Sequence, residues 1–492
     1  MVDVLLTHSY HLYYDRKQAQ KMQPYPPLAT LYSAALLRDH GYSVAVFDTM
    51  LEDPISGFPR ALRQHKPRIV ALCEDNFNFL SKMCLGRMRE VALEMIAASR
   101  KAGASVLANG SDAADHVTQY LQGGVNFIIV GEPERTILEA VSSLTGNSGQ
   151  DPETIPGLIF LKQPAGGLIR TPPRPLLNNL DQLPLPARDL VDMDRYRDAW
   201  RGARNFFSLN LVASRGCPYK CNWCAKPIFG DAFHCRSARA VAEEMALLKN
   251  TYGAEHLWFA DDIFGLKSRW VMDLADHVSC LGAVLPFKMQ TRADFIQEDV
   301  ANALRKAGCS EAWMGVESGS QQILDAMEKD LRVDEVIKAR NHLRNAGIRA
   351  CFFLQFGYSG ETWQDIRQTI ELVRLTKPDD IGVSVSYPLP GTRFYDKVGE
   401  QLGLKTNWSD SEDLSMMFQG AYTSRFYRAL HDALHAEVET WSSPPVERAG
   451  RGSSGTNPRG ASSERVDLLW ARVEEMENTC RNKAPTPLPV LA

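Results

Sequence analysis

The chain has 492 residues, 44% of them hydrophobic and 23% charged, with a formal net charge of -4 at pH 7. That length exceeds one ordinary core and implies two or three domains, while the slightly acidic balance gives no electrostatic reason to expect nucleic acid or another polyanion as a partner. No run of about eighteen uncharged apolar residues argues for a helical membrane span, and the start, Met1-Val-Asp-Val-Leu-Leu-Thr-His8, reads as a strand and not as a secretory signal, so a cytoplasmic protein is the expectation.

Over residues 1–147 short β-rich runs alternate with helical patterns. Strands are predicted at Val2 to Thr7, Ser43 to Asp48, Arg68 to Cys73, Ser105 to Ala108 and Asn126 to Val130, with helices at Leu28 to Asp39, Leu85 to Ala102, Ala113 to Leu121 and Glu134 to Leu144. This alternation predicts an α/β domain, Rossmann-like or flavodoxin-like, with a parallel sheet covered on both faces. Ligands of such sheets bind beyond the carboxyl ends of the strands, where Asn76, Asn78, Ser111 and Asp112 fall.

Residues 148–204 lose the pattern in proline-rich stretches such as Thr171-Pro-Pro-Arg-Pro and Leu183-Pro-Leu-Pro-Ala, and read as a connector. Alternation resumes over 205–400, with strands predicted at Phe206 to Ser214, His256 to Ala260, Pro286 to Thr291, Glu311 to Val316, Arg349 to Phe356 and Ile381 to Tyr387. Six such units suit a partial (β/α) barrel. An extension over 401–442 follows, in which Trp408, Met416, Met417, Phe418 and Tyr422 either line a substrate cavity or pack a core. A Gly/Ser/Pro-rich flexible linker over 443–463 then leads to a tail over 464–492 with a helix from about Glu464 to Cys480.

The chemistry is carried by cysteine. Of ten cysteines, Cys217, Cys221 and Cys224 are packed into Ser214-Arg-Gly-Cys-Pro-Tyr-Lys-Cys-Asn-Trp-Cys224, directly after the first strand of the second region. Three thiolates on one loop can hold three irons of a cubane cluster and leave the fourth iron without a protein ligand, an open position of the kind catalysis needs. The alternative is a zinc site, but zinc thiolates normally come as two pairs, and His234 and Cys235 lack that spacing.

The C-x-x-x-C-x-x-C triplet after the first barrel strand resembles the radical S-adenosylmethionine (SAM) superfamily. The resemblance implies a 4Fe–4S cluster on Cys217, Cys221 and Cys224, with SAM chelating the open iron. It also implies reductive cleavage of SAM to methionine and a 5′-deoxyadenosyl radical, which abstracts hydrogen from an unactivated carbon. A reducing partner such as flavodoxin or ferredoxin is implied with it. Further stretches match in order. Phe259-Ala-Asp-Asp-Ile-Phe264 implies SAM-proximal acids at Asp261 and Asp262, Thr291-Arg292 follows the third strand, and Gly315-Val-Glu-Ser-Gly-Ser320 implies Glu317 and Ser318 beside the ribose or methionyl group. Phe353-Leu-Gln-Phe-Gly-Tyr-Ser-Gly-Glu361 implies an adenine contact at Gly357, with Ser359 where many relatives carry Pro, and Tyr387-Pro-Leu-Pro-Gly-Thr392 resembles the sixth strand's exit. Taken singly, each of these is also an ordinary turn at a barrel rim.

The N-terminal region is similar to the cobalamin-binding modules of one radical SAM subgroup. Tyr25-Pro-Pro-Leu-Ala-Thr-Leu-Tyr, Asn109-Gly-Ser-Asp and Val130-Gly-Glu-Pro-Glu-Arg-Thr carry that likeness, and it implies Asn76, Gly110, Ser111, Asp112, Gly131 and Glu132 around the corrin. None of the eleven histidines stands in a D-x-H-x-x-G motif, so the implied corrin has no protein imidazole beneath it; His8 and His11 are expected as solvated loop residues, an approach to the corrin being the alternative. A purely structural sheet is the alternative.

The implied activity is methyl transfer to a small-molecule, natural-product or lipid-type substrate, with a cobalamin-dependent cyclisation, oxidation or rearrangement as runner-up. Methylthiolation of transfer RNA would need three more N-terminal cysteines, and residues 1–200 hold only Cys73 and Cys84. A zinc-dependent scaffold protein is the reading from a different class.

Overall fold

The computed structural model describes residues 1–83, 85–147, 149–162, 166–226, 228–402, 407–408, 414–441 and 463–481. Residues 443–462 of the predicted linker and residues 403–406, 409–413 and 442 of the 401–442 extension lie outside them, as do Cys84 and the end of the tail. Two sheets carry the architecture.

In the first, β1 (Val4–Thr7), β2 (Val44–Phe47), β3 (Ile69–Cys73), β4 (Ser105–Asn109) and β5 (Phe127–Ile129) are parallel, and β6 (Leu158–Leu161) and β7 (Leu168–Arg170) run antiparallel beyond them, in the order β2-β1-β3-β4-β5-β6-β7. The central strand Ile-Val-Ala-Leu-Cys is buried at every position, as a strand covered on both faces must be. Two apolar clusters flank this sheet, one on Leu5, Val70 and Val106 and the other on Leu6, Ala71 and Leu107, alternating along the strands as the pleat dictates.

The connector is more ordered than its prolines suggest. It supplies the β6–β7 hairpin and then the helix Met193–Arg204. Asp192 caps that helix by accepting from the Asp194 and Arg195 backbone N–H groups, and Tyr196 and Trp200, one turn apart, are buried on one face. A second unpredicted helix, Pro54–His65, has Asp53 as cap and Pro54 in its first turn. The predicted helix over Ala113 to Leu121 is two short helices broken at His116.

The second sheet consists of β8 (Ser208–Leu211), β11 (His256–Phe259), β12 (Phe287–Thr291), β13 (Cys309–Glu317), β14 (Arg349–Phe356) and β15 (Asp380–Val385), all parallel and paired in chain order. A small hairpin of β9 (Ser214–Arg215) and β10 (His234–Cys235) brackets the cysteine loop. Sequential parallel strands with crossovers of one hand put their helices on one face. Accordingly Phe259, Phe287, Met289, Met314 and Phe352 share a buried cluster with Val241, Met245 and Leu274 of the crossover helices.

The two sheets are joined by polar bonds as well as by that cluster, which also takes in Tyr10, Tyr25 and Met50. Trp200 donates its indole N–H to the Pro24 carbonyl at 2.6 Å, Asn210 donates to the Pro26 carbonyl at 2.9 Å, and the Tyr196 hydroxyl donates to Asp48 at 2.6 Å. Arg188 of the connector is buried against Glu244 at 2.8 Å and donates to the Asn210 carbonyl, while Arg236 donates to the other Glu244 oxygen. The helix Ser424–Trp441 packs against β15, and Ser463–Arg481 packs against that helix in turn. Among the described residues no helix is long and apolar enough to cross a membrane.

Candidate active site at the facing strand ends

The cysteine loop leaves β8 through Ser214 and Arg215 and is shaped by its own backbone. Gly216 has φ +76°, and a Cβ there would stand 2.0 Å from the Ala232 carbonyl oxygen, so only glycine fits. Lys226 ties the loop by donating to the carbonyls of Cys217 at 3.0 Å and Tyr219 at 2.5 Å, and the Asn222 backbone N–H donates to the Met327 carbonyl at 3.0 Å. The Asn222 side chain donates to the Ala326 carbonyl and accepts from the Tyr358 hydroxyl at 2.9 Å. These bonds bring the loop against the ends of β13 and β14. Burial raises the Cys217 thiol and pushes that of Cys224 up to about 12, with Asp262 close enough to add to both shifts. The Trp223 indole nitrogen, between Cys221 and Cys224, is buried without a hydrogen-bond partner.

Around this loop stand the other strand ends. Asp261, after β11, is buried; it accepts from Ser214 Oγ at 2.5 Å and from the Ala213 N–H at 3.1 Å, and burial raises its carboxyl to about 7. Asp262 beside it is exposed. Glu317 ends β13 just where the β13–β14 register shifts, with φ 64°, a left-handed backbone rare outside glycine. Its carboxylate accepts from Lys329 at 2.9 Å, both side chains being buried. Burial opposes charge on Lys329, but Glu317 outweighs it and holds the ammonium above its ordinary range. Ser318 bonds to Thr369. Gly357 donates its N–H to the buried Glu361 at 2.6 Å.

Arg292 is turned to structure. Its guanidinium donates to Asp294 and to the carbonyls of Lys329 and Asp330, and it lies 3.7 Å from the centre of the Tyr219 ring. It thereby holds the segment bearing Lys329 against the cysteine loop.

At the carboxyl ends of the first sheet, Asn76 donates to Asn109 at 2.7 Å, and its own carbonyl oxygen is buried without a partner. Gly110, at φ +147°, lies so close to Glu74 that a Cβ would be 2.9 Å from Glu74 Cγ, and Ser111 and Asp112 are buried after it. Gly131, at φ +81°, approaches the Ile228 carbonyl, in the segment just after the cysteines. The first sheet's strand ends and the cysteine loop therefore face one another.

The sequence profile of the Radical SAM superfamily matches residues 211–373, the stretch that runs from the end of β8 past β14 into the helix Trp363–Thr376. The chain carries a radical SAM domain. A radical SAM domain implies a 4Fe–4S cluster and SAM. The chain is also similar to an uncharacterized methyltransferase of Pyrococcus horikoshii, 26% identical over 82% of this chain and 88% of that protein. A hopanoid C-3 methylase of Methylococcus capsulatus is 23% identical over 76% of this chain and 69% of its own. In fold, the chain matches the radical SAM methyltransferase TsrM from Kitasatospora setae, solved with cobalamin and a 4Fe–4S cluster bound, at TM-score 0.69 and 16% identity over 98% of this chain and 100% of that one.

Several candidates have other work beside the radical SAM domain. Asp112 is held by Arg89 at 2.9 Å and by the Tyr120 hydroxyl at 2.9 Å, inside the first sheet's own helices. Glu132 accepts from the Leu177 N–H at 2.7 Å and from Arg215 at 3.2 Å. The histidines expected in solvent are buried: His8 bonds Asp48 at 2.9 Å through one ring nitrogen and Thr49 at 3.1 Å through the other, and His11 bonds the Thr49 carbonyl at 2.7 Å. Both His8 nitrogens are thus already engaged. Trp408, Met417 and Phe418 are core residues, Trp408 packing 4.2 Å from Tyr387. The contributors missed from sequence are Lys329, whose partner Glu317 lies across a turn twelve residues back, and the pair Arg215 and Glu134, 81 residues apart along the chain.

Proposed function

We propose that this chain is a cobalamin-dependent radical SAM methyltransferase that methylates an unactivated carbon of a small-molecule or lipid-type substrate. The observation that carries the reading is the meeting of a three-thiol loop with the carboxyl ends of the first sheet's parallel strands. The methyltransferase and methylase names of relatives matched over more than two thirds of their length support the same direction of chemistry.

The donor set suits the groups assigned to it. Cys217, Cys221 and Cys224 are three soft ligands on one glycine-shaped loop, apt for iron and short of a fourth sulfur. The orphaned Trp223 N–H beside them would be satisfied by an acceptor on the cosubstrate. The orphaned Asn76 oxygen suits an amide-fringed ring such as a corrin, whose side chains carry N–H donors. With both nitrogens of His8 bonded, that imidazole is not on offer to cobalt.

When bound, the cluster supplies the electron that cleaves SAM, and cobalamin supplies a carrier for the methyl group. The protein's part is placement. Asp262, Glu317, Ser318 and Gly357 line the cosubstrate's side, with Lys329 holding the Glu317 carboxylate in one orientation. Arg292 and Asp261 act one step back, fixing the Lys329 segment and the start of the cysteine loop. Asn76, Gly110, Ser111 and Gly131 form the opposing wall. Glu132 and Asp112 support that wall through their ion pairs. Thiolate ligation releases protons from thiols that burial holds protonated, so cluster assembly is expected to be favoured by mildly alkaline conditions.

In this reading residues 1–147 form the cobalamin-binding module, 205–400 a partial (β/α) barrel and 401–442 a cap on it, and a flavodoxin or ferredoxin delivers the electron. The test is anaerobic reconstitution with iron, sulfide and hydroxocobalamin, then incubation with methyl-labelled SAM and candidate metabolites. Iron–sulfur and corrin absorbance with a product heavier by one methylene unit supports the reading. Corrin that washes away, or a product that has lost hydrogens or is an isomer, rules out methyl transfer through cobalamin.

A further inference from the structure

We infer that Arg215 is a positioning residue through which the first sheet sets the attitude of the cysteine loop; this rests on the proposal that the three cysteines hold the cluster. Arg215 stands two residues before Cys217, and only Gly216 intervenes. That glycine is pinned under the Ala232 and Phe229 carbonyls, so it offers no slack to absorb a shift of its neighbour.

The guanidinium belongs to the other sheet as much as to its own. It donates to Glu134 at 2.6 Å and to Glu132 at 3.2 Å, both just beyond β5, and its side chain is 2% exposed. Glu132 is itself fixed by the Leu177 N–H. Around the cation stand Tyr32 and Phe77 of the N-terminal half and Phe229 from the segment after the cysteines, their ring centres 5.5, 5.3 and 5.2 Å away. Phe77 and Phe229 also stack on each other at 5.1 Å. One planar fork therefore fixes two carboxylates of the first sheet and, through one residue, the first thiol of the loop.

Adhesion between the sheets would not by itself need this geometry. A buried ion pair is a poor source of net stability, and apolar side chains of similar volume commonly hold such an interface as well. What an arginine adds is direction: two donors in a rigid plane, which lysine cannot reproduce. Any rotation of the first sheet about this point is passed to the cysteines.

The test uses the reconstituted full-length protein as Arg215→Lys, Arg215→Met and Glu132→Gln. Iron content, the electron paramagnetic resonance spectrum of the reduced cluster with and without SAM, and the KM for SAM are read on each. Arg215→Met is expected to fold with a cluster whose SAM-induced spectral change is largely lost and whose KM rises at least tenfold. Arg215→Lys and Glu132→Gln should fall between it and the parent, and serve alone if the methionine variant does not fold. Variants with parental iron content, spectra and KM would overturn the inference. A parent chain that binds no cluster would instead overturn the proposed function, so the two failures are distinguishable.

Discussion

The Lys329 ammonium lies 2.9 Å from the carboxylate of Glu317, a residue whose own backbone is left-handed at φ 64°. Each side chain is 7% exposed, so neither charge has water to fall back on. Lys329→Met should strand a buried carboxylate and lower the stability of the metal-free chain by about 3–5 kcal/mol. Lys329→Met with Glu317→Gln should recover much of that. Urea denaturation of both variants checks it, and equal midpoints would break the argument.

Cys221→Ala removes one of the three thiols without touching the core, since Cys221 is only half-buried. Iron after reconstitution should fall from about four per chain to near none, and 5′-deoxyadenosine should become undetectable while circular dichroism stays unchanged. Undiminished 5′-deoxyadenosine from this variant would end the case for the cluster.

Gly216→Ala probes the loop's shape and leaves all three thiols in place. The left-handed backbone alone costs an alanine about 1–2 kcal/mol, and its Cβ would drive into the Ala232 carbonyl. Poor cluster loading in a chain that is otherwise folded is expected. Parental absorbance near the iron–sulfur band would contradict it.

Glu361 gives a pH signature. Burial raises its carboxyl from 4.5 to about 8, the nearby Asp365 adds to the rise, and the Gly357 N–H opposes it; Tyr427 is raised by burial first and by the Glu361 charge after it. A folded pKa above the unfolded one means that the stabilising contribution is complete below about pH 4.5 and is lost as pH climbs through 8. Glu361→Gln cannot ionise and keeps an acceptor for Gly357. Its melting temperature should gain on the parent's steadily between pH 4.5 and 8, and parallel profiles would exclude ionisation of Glu361 as the cause.

What could be read beforehand was local. Strand alternation located the parallel strands of both sheets, though not the antiparallel β6 and β7, and the spacing of Cys217, Cys221 and Cys224 located the chemistry, because both are written in consecutive residues. Asp112 is expected at a ligand because it follows a strand and Glu132 because its stretch is similar to cobalamin modules, yet each is engaged by an arginine. For Glu132 that arginine is 83 residues away, a distance over which no periodicity reports. The helix Met193–Arg204 was hidden by its charged composition, although the Asp192 cap and the Met193, Tyr196, Trp200 spacing were there to be seen. Pro54–His65 was masked by Gly57 and Pro59, residues that usually interrupt helices.

The Arg188–Glu244–Arg236 triad has a bearing on how such proteins can be recombined. Arg188 comes from the connector, while Glu244 and Arg236 lie beyond β8, and the Glu244 and Arg188 side chains are 0% and 1% exposed. A hybrid spliced anywhere between residues 188 and 236 inherits one side of this contact from each parent. Viable exchanges of the front half among relatives should therefore carry the connector's arginine across together with an acid that answers it.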